Sequence, residues 1–211
     1  LIVRHLGIQP YALIYAAMQD FTRNRDEHTE DEIWILQHPA VFTLGRNGKE
    51  YHVLNPGEIP LQHIDRGGQV TYHGPGQLVA YLLLDIRRMG MGVREMVSCI
   101  ENTVIDFLAA FEIAAFAKKD APGVYTFPKP GLAEGKIAAL GLRISKGCCY
   151  HGLSLNIKMK LEPFLRINPC GYEGLHVVQV ADYYPSITLP SAAQVLLDCL
   201  NKQLAMKISK H

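Results

Sequence analysis

No apolar run in this chain approaches the ~20 residues that a membrane-spanning helix needs; the longest, Leu78 to Leu84, is strand-length. Excess charge is missing too. Lys and Arg number 21 against 20 Asp and Glu, a formal net charge of +1. That balance gives no global field for nucleic acid or an anionic membrane, so any charged partner must be met by a local patch. Cysteine is sparse and odd in number: Cys99, Cys148, Cys149, Cys170 and Cys199, with no C-x-x-C spacing. An odd count argues against a disulfide framework, and adjacent Cys148 and Cys149 are too close for a usual zinc pair, so no metal is expected. The opening residues Leu1-Ile2-Val3-Arg4-His5 lack the basic, apolar and small-residue succession of a secretory leader, and the cytoplasm is the expected compartment. Neither the phosphate loop G-x-x-x-x-G-K-[ST] nor G-x-G-x-x-G occurs, and there are no repeats, low-complexity tracts or heptads.

What remains is ordinary soluble-domain material: 211 residues, 48% hydrophobic and 19% charged, enough for one domain with a full core. Pro10 to Arg23 reads as an amphipathic helix, with Leu13, Ile14, Ala17, Met18 and Phe21 at helical spacing. Glu32 to Gln37, Val41 to Leu44 and Leu78 to Leu84 read as strands, with a break at His38-Pro39. A long helix is expected from Val93 to about Ala115, then a short strand over Gly123 to Phe127 and a surface loop from Pro128 to Gly135. Lys136 to Ile144 and Cys149 to Ile157 form two further strands, and in the second the period of two puts His151 on the face of Leu153, Leu155 and Ile157. Leu161 to Arg166 reads as a helical turn, and a last helix is expected with Ser191 as its N-cap. Strands outnumber helices without strict alternation. The expected fold is therefore α/β or α+β, a mixed sheet flanked by helices rather than a doubly wound sheet.

Three stretches carry chemistry. Arg66-Gly67-Gly68-Gln69-Val70-Thr71-Tyr72-His73 is glycine-rich, ends in a histidine and precedes the most apolar strand. Glycines there let backbone N–H groups approach a ligand, though a plain turn before a core strand fits as well. Cys170 stands in Asn168-Pro169-Cys170-Gly171, a loop able to present a nucleophile rigidly, but a thiol with a reference pKa of about 8.5 needs a neighbouring cation or base. Lys136 opens a strand of small and apolar residues, where a desolvated amine can serve as that base or where a lysine can simply guard a sheet edge. His151 reads as a hydrogen-bonded core residue, and Cys148 and Cys149 as rival thiols poorly placed inside a strand. Cys99 and Cys199 read as packing.

Four blocks together resemble the lipoyl(octanoyl) transferases, the acyltransferases of lipoate biosynthesis. They are Gln37 to Gly45, Arg66 to Leu84, Lys136 to Gly141 with Gly147 to Leu153, and Phe164 to Gly171. The resemblance implies the fold of the biotin and lipoate protein ligases, over a single catalytic domain spanning residues 1–211. It makes Cys170 the acyl-accepting nucleophile and Lys136 its assistant. The acyl group is expected against Arg66, Gly67, Gly68, Gln69, Val70, Thr71, Tyr72 and His73, with Ala139, Leu140, Gly141, His151, Gly152, Leu153 and Ser154. Backbone N–H groups near Gly67-Gly68 or Leu140-Gly141, helped by His73, are candidates for an oxyanion site. The implied donor is octanoyl-acyl carrier protein. The implied acceptors are lipoyl domains of 2-oxoacid dehydrogenase complexes and the glycine cleavage H protein. No cofactor is needed, and the enzyme is expected to be a monomer. Docking of such acidic partners would fall to Arg87, Arg88, Arg143, Lys146, Lys158 and Lys160. Two departures are small: Cys149 stands where serine is more usual, and Phe127 to Glu134 is a few residues longer than is typical of the family. Competing readings are an ATP-dependent lipoate or biotin ligase of the same fold, a Cys/His amidase using Cys170 with His73 or His151, and a non-catalytic acyl-binding module.

Overall fold

A computed structural model describes residues 1–128 and 130–208. In chain order the elements are β1 (Ile2–Ile8), α1 (Tyr11–Asn24), β2 (Glu32–Gln37), β3 (Val41–Leu44), β4 (Leu61–His63), β5 (Val70–His73), β6 (Gln77–Asp85), α2 (Val93–Ala109), β7 (Ala115–Ala117), β8 (Val124–Thr126), β9 (Gly135–Ser145), β10 (Cys148–Asn156) and α3 (Leu189–Ile208). Seven strands form one sheet in the order β1-β2-β6-β10-β9-β8-β7, and β4-β3-β5 form a second, smaller sheet. In the large sheet β1 pairs parallel with β2 and the other pairs are antiparallel, so the sheet is mixed as expected.

The apolar run in β6 has a simple cause. Leu78, Ala80, Leu82 and Leu84 face α2 and α3, where Met96, Ile100, Phe107 and Leu196 complete the main core. Val79, Tyr81 and Leu83 face α1, meeting Ile14, Met18 and Trp34. A strand covered on both faces has no polar side to show. Its neighbour β10 comes so close that a β-carbon on Gly152 would lie 2.1 Å from the Ala80 carbonyl oxygen, which only glycine allows. No helix among the described residues is long and apolar enough to cross a membrane.

Several boundaries differ from the sequence reading. α2 stops at Ala109 rather than running to Ala115 because Glu112 turns left-handed at φ 58°. The Glu112 N–H then bonds to the Ala109 carbonyl and the Ile113 N–H to Leu108, a helix stop usually signalled by glycine. α3 begins at Leu189, not after Ser191: the Ser191 N–H donates to Thr188 Oγ1, which makes Thr188 the capping residue. β1, β4, β5 and β7 were not expected; β3 was, though not the small sheet it forms with β4 and β5. The expected loop from Pro128 to Gly135 includes Lys129, which lies outside the described residues.

Candidate active site

The glycine-rich stretch divides into three parts. Residues 66–69 are a loop, residues 70–73 are β5, and residues 74–76 turn the chain into β6. The loop lies along β9, held by the Gly67 N–H on the Leu142 carbonyl at 3.0 Å. It closes a cavity of about 350 Å³, near the lower end of the ~300–1,000 Å³ typical of small-molecule sites. Arg66, Gly67, Gly68, Gln69, Val70, Thr71 and His73 line it from this side. Ala139, Leu140 and Gly141 line it from β9, and His151, Gly152, Leu153 and Ser154 from β10. Tyr72 does not. Alternation along β5 turns it to the opposite face, where it packs on Phe42 and Phe164.

Cys170 reaches the same cavity from a tight 3-10 turn, Pro169–Gly171, in which it adopts φ 58°. A left-handed non-glycine residue marks a position that the surroundings must hold in place. Here the chain is fastened on both sides. Asn168 N–H bonds to the His52 carbonyl at 2.8 Å before the cysteine. After it, Lys136 and Val177 form a parallel bridge, with the Lys136 N–H on the His176 carbonyl and the Val178 N–H on Lys136. The second tie sets a residue in β9 beside a loop 34 positions later. Lys136 Nζ lies 3.0 Å from Cys170 Sγ.

The lysine is 4% exposed, and its Nζ also donates to the Pro122 carbonyl at 2.7 Å. Gly123, at φ 139°, leaves the space this needs, since a β-carbon there would lie 2.5 Å from Lys136 Cε. The same short segment supplies Asp120 O to the Tyr172 hydroxyl and Ala121 O to the Tyr125 hydroxyl, so it braces both members of the pair. Neither Pro122, Tyr125 nor Tyr172 was picked out from the sequence. A Pro-Gly dipeptide signals a turn, but nothing in it points to a lysine 14 residues away.

Arg66 is buried. Its Nη2 donates to the Thr43 carbonyl and Oγ1 at 2.8 and 2.9 Å, and its Nη1 to the Gly67 carbonyl at 2.9 Å. Burial pulls the guanidinium below its usual value, opposed by Tyr11 and Cys170, yet an arginine stays charged. The other thiols are different: burial pushes Cys99 up to about 11 and Cys149 up to about 12, and raises Cys148 and Cys199. None of these four reaches the cavity.

Two histidine expectations need correction. His73 cannot help an oxyanion, because its single neutral N–H, at Nδ1, is committed to Gln77 Oε1 at 2.7 Å. Burial, with His38 beside it, lowers His73 to about 3. His151 does not share the leucine face of β10. At φ 62° its ring turns to the α1 side, against Tyr15 and Tyr150. There its Nε2 lies 3.1 Å from Asp65 Oδ1. The Gly67 N–H is likewise spent, on Leu142. Among the expected docking groups, Arg88 pairs with Asp31 at 2.9 Å and Arg87 with Asp85 at 3.8 Å.

The buried imidazoles give the fold a pH dependence. His38, lowered to about 4 by burial, donates to the Gln9 carbonyl and accepts from the Tyr81 hydroxyl, so it too is neutral. Both folded values lie below the ~6.5 of an unfolded histidine, so the unfolded chain binds more protons between them. Stability is then complete above about pH 6.5 and falls as pH drops toward 4, by about 1.4 kcal/mol per unit for each histidine. Urea unfolding at pH 7, 5.5 and 4.5 is expected to show this loss. A flat profile would mean that the two rings take up protons freely in the folded state.

Comparison with known proteins bears on the family and the fold. Residues 10–201 match the family described as the lipoyl protein ligase A/B catalytic domain. The chain is 57% identical to an octanoyltransferase of Pectobacterium atrosepticum over 94% of its length and 85% of the relative's. It is 55% identical to one of Hahella chejuensis, over 93% and 85%. In fold it is similar to a lipoate-protein ligase A bound with ATP, at a TM-score of 0.76 and 15% identity over 96% of this chain and 85% of the other. The biotin protein ligase of Aquifex aeolicus is more distant, with a TM-score of 0.57 and 11% identity over 100% and 72%.

Proposed function

We propose a function from the premise that this chain belongs to the lipoyl protein ligase A/B catalytic-domain family, with octanoyltransferases among its relatives at 50–58% identity. It is an acyltransferase that moves an octanoyl group in lipoate biosynthesis. We infer that the donor is octanoyl-acyl carrier protein and the acceptor a lysine of a lipoyl domain, including those of 2-oxoacid dehydrogenases and the glycine cleavage H protein. Residues 1–211 act as one catalytic domain, as a monomer in the cytoplasm. The observation that carries the reading is the 3.0 Å contact between Lys136 Nζ and Cys170 Sγ on the wall of the cavity.

In the first half-reaction the Cys170 proton passes to Lys136, and the sulfur attacks the donor thioester carbonyl. The carrier thiol leaves with a proton returned by Lys136, giving an octanoyl thioester on Cys170. In the second, the acceptor amine attacks that thioester, its proton goes to Lys136, and Cys170 departs as the amide forms. Thioester to amide is downhill, so no nucleotide is consumed. Arg66 adds a fixed positive charge near the sulfur, and the Gly68 and Leu140-Gly141 backbone remain as candidates for the oxyanion site.

Intact-mass measurement after mixing the protein with octanoyl-acyl carrier protein tests this directly. An octanoyl adduct is expected on the wild-type protein without ATP, and adding an apo lipoyl domain should discharge it. Acylation that requires ATP and free octanoate would instead select the ligase reading.

A further inference from the structure

Resting on the acyl transfer proposed above, the geometry points to Glu101 as the residue that positions Lys136, acting through the Pro122–Gly123 peptide. That one peptide group has a side chain at each end. Its carbonyl, on Pro122, accepts from Lys136 Nζ at 2.7 Å, and its N–H, on Gly123, donates to Glu101 Oε1 at 3.2 Å. A planar trans peptide aims its C=O and N–H in opposite directions. Carboxylate, peptide and amine therefore form one hydrogen-bonded series, which ends on Cys170 Sγ, 3.0 Å from Nζ.

The helix explains why a carboxylate stands there. Val93 and Val97 in α2 line the cavity, and Glu101 is the next residue on the same stripe, one turn further on. Gly123 is buried at φ 139° just before β8 begins, so its N–H must find an acceptor outside the regular ladder. Without Glu101 that N–H would be orphaned, and the peptide would be free to turn its carbonyl away from Nζ. The electrostatics run the same way: burial raises the Glu101 carboxyl, opposed by the Gly123 N–H and by the charge of Lys136. Hydrogen bonds in series strengthen one another, and a carboxylate at one end makes the Pro122 oxygen a better acceptor at the other. The amine is thereby held on the thiol, and its ammonium form, which it takes when Cys170 gives up a proton, is favoured. A nucleophile, a base and a group that orients the base recur together in covalent catalysis; here the orienting group reaches the base through the main chain.

Alkylation of Cys170 by iodoacetamide at pH 7, followed by peptide mass, reads this series without any substrate. It is measured for Glu101→Leu and Glu101→Gln, each in the wild-type and the Lys136→Met background. Leucine removes the acceptor; glutamine keeps one without the charge. Glu101→Leu is expected to slow alkylation at least about fivefold in the wild-type background but less than about twofold beside Lys136→Met, because the residue acts only through the lysine. Glu101→Gln should keep at least about half of the wild-type rate. Single-turnover acylation by octanoyl-acyl carrier protein should follow. In Glu101→Leu its rate constant is expected to fall at least about fivefold, while the donor concentration giving half of the maximal rate changes less than about twofold. Equal slowing in both backgrounds would mean that Glu101 merely supports the cavity wall, and would overturn the inference. So would no slowing at all, or glutamine as damaging as leucine. Wild-type protein that takes up no octanoyl group would remove the transferase reading itself, a distinct result whatever the alkylation rates.

Discussion

Replacing Cys170 by alanine is expected to lower octanoyl transfer by at least about a thousandfold, while Cys148→Ala and Cys199→Ala retain most of it. The contrast follows from where the five thiols sit. Cys149 is buried with its S–H on the Leu82 carbonyl at 3.3 Å, and Cys99 lies in the core under α2 and α3. Burial raises both, along with Cys148 and Cys199, so none has an accessible thiolate. Cys170 alone among the described thiols is partly exposed to the cavity and in contact with an amine. Without its sulfur the acyl group has no covalent resting place. The residual rate then comes only from holding two substrates together, and catalytic groups that act as a unit lose nearly everything when one is removed. Steady-state assays with a purified lipoyl domain give the answer. A Cys170→Ala variant keeping more than about a tenth of the wild-type kcat would end the covalent route through this thiol.

How much of this was legible in the residues depends on the range of the forces involved. β6 and α1 were, because each follows a local period: seven apolar residues covered on both sides, and a stripe at helical spacing. β4 and β5 are three and four residues long, and a period of two leaves little trace in so short a run. That gap cost one site residue. Once Val70–His73 is seen to be a strand, Tyr72 must point away from Thr71 and His73. β1 pairs parallel at the sheet edge with no clean alternation of burial, so it read as nothing in particular. The stop of α2 at Glu112 and the turned ring of His151 share one cause, a left-handed residue that is not glycine. Sequence patterns do not register such a conformation, because tertiary contacts impose it. The reactive pair was the least legible feature. Its 3.0 Å contact depends on a bridge between Lys136 and Val177, and the pairing came from family resemblance, not from any spacing.

The lysine of that pair is expected to be almost as indispensable as the cysteine, with Lys136→Met lowering kcat/KM by about a hundred- to ten-thousandfold. Two jobs are combined in it. As a cation it steadies negative sulfur, and as a proton carrier it must release in one half-reaction what it accepted in the other. Methionine removes both functions and strands the buried Pro122 carbonyl that Nζ now satisfies. Arginine separates them, since a guanidinium keeps its charge but cannot give up a proton at usable pH. The slot also excludes it: Lys136 is 4% exposed and Gly123 already admits no β-carbon beside Cε. Lys136→Arg is therefore expected to fall within about tenfold of Lys136→Met. Alkylation of Cys170 by iodoacetamide at pH 7 reads the contact without any substrate. It is expected to slow at least about tenfold in Lys136→Met, because the amine no longer draws the proton from sulfur. Small alkylamines added to Lys136→Ala should restore part of the acylation rate by occupying the vacated space. An alkylation rate equal to that of wild type would show that Lys136 does not act on the thiol, and the pair would then have to be abandoned even with Cys170 established as the nucleophile.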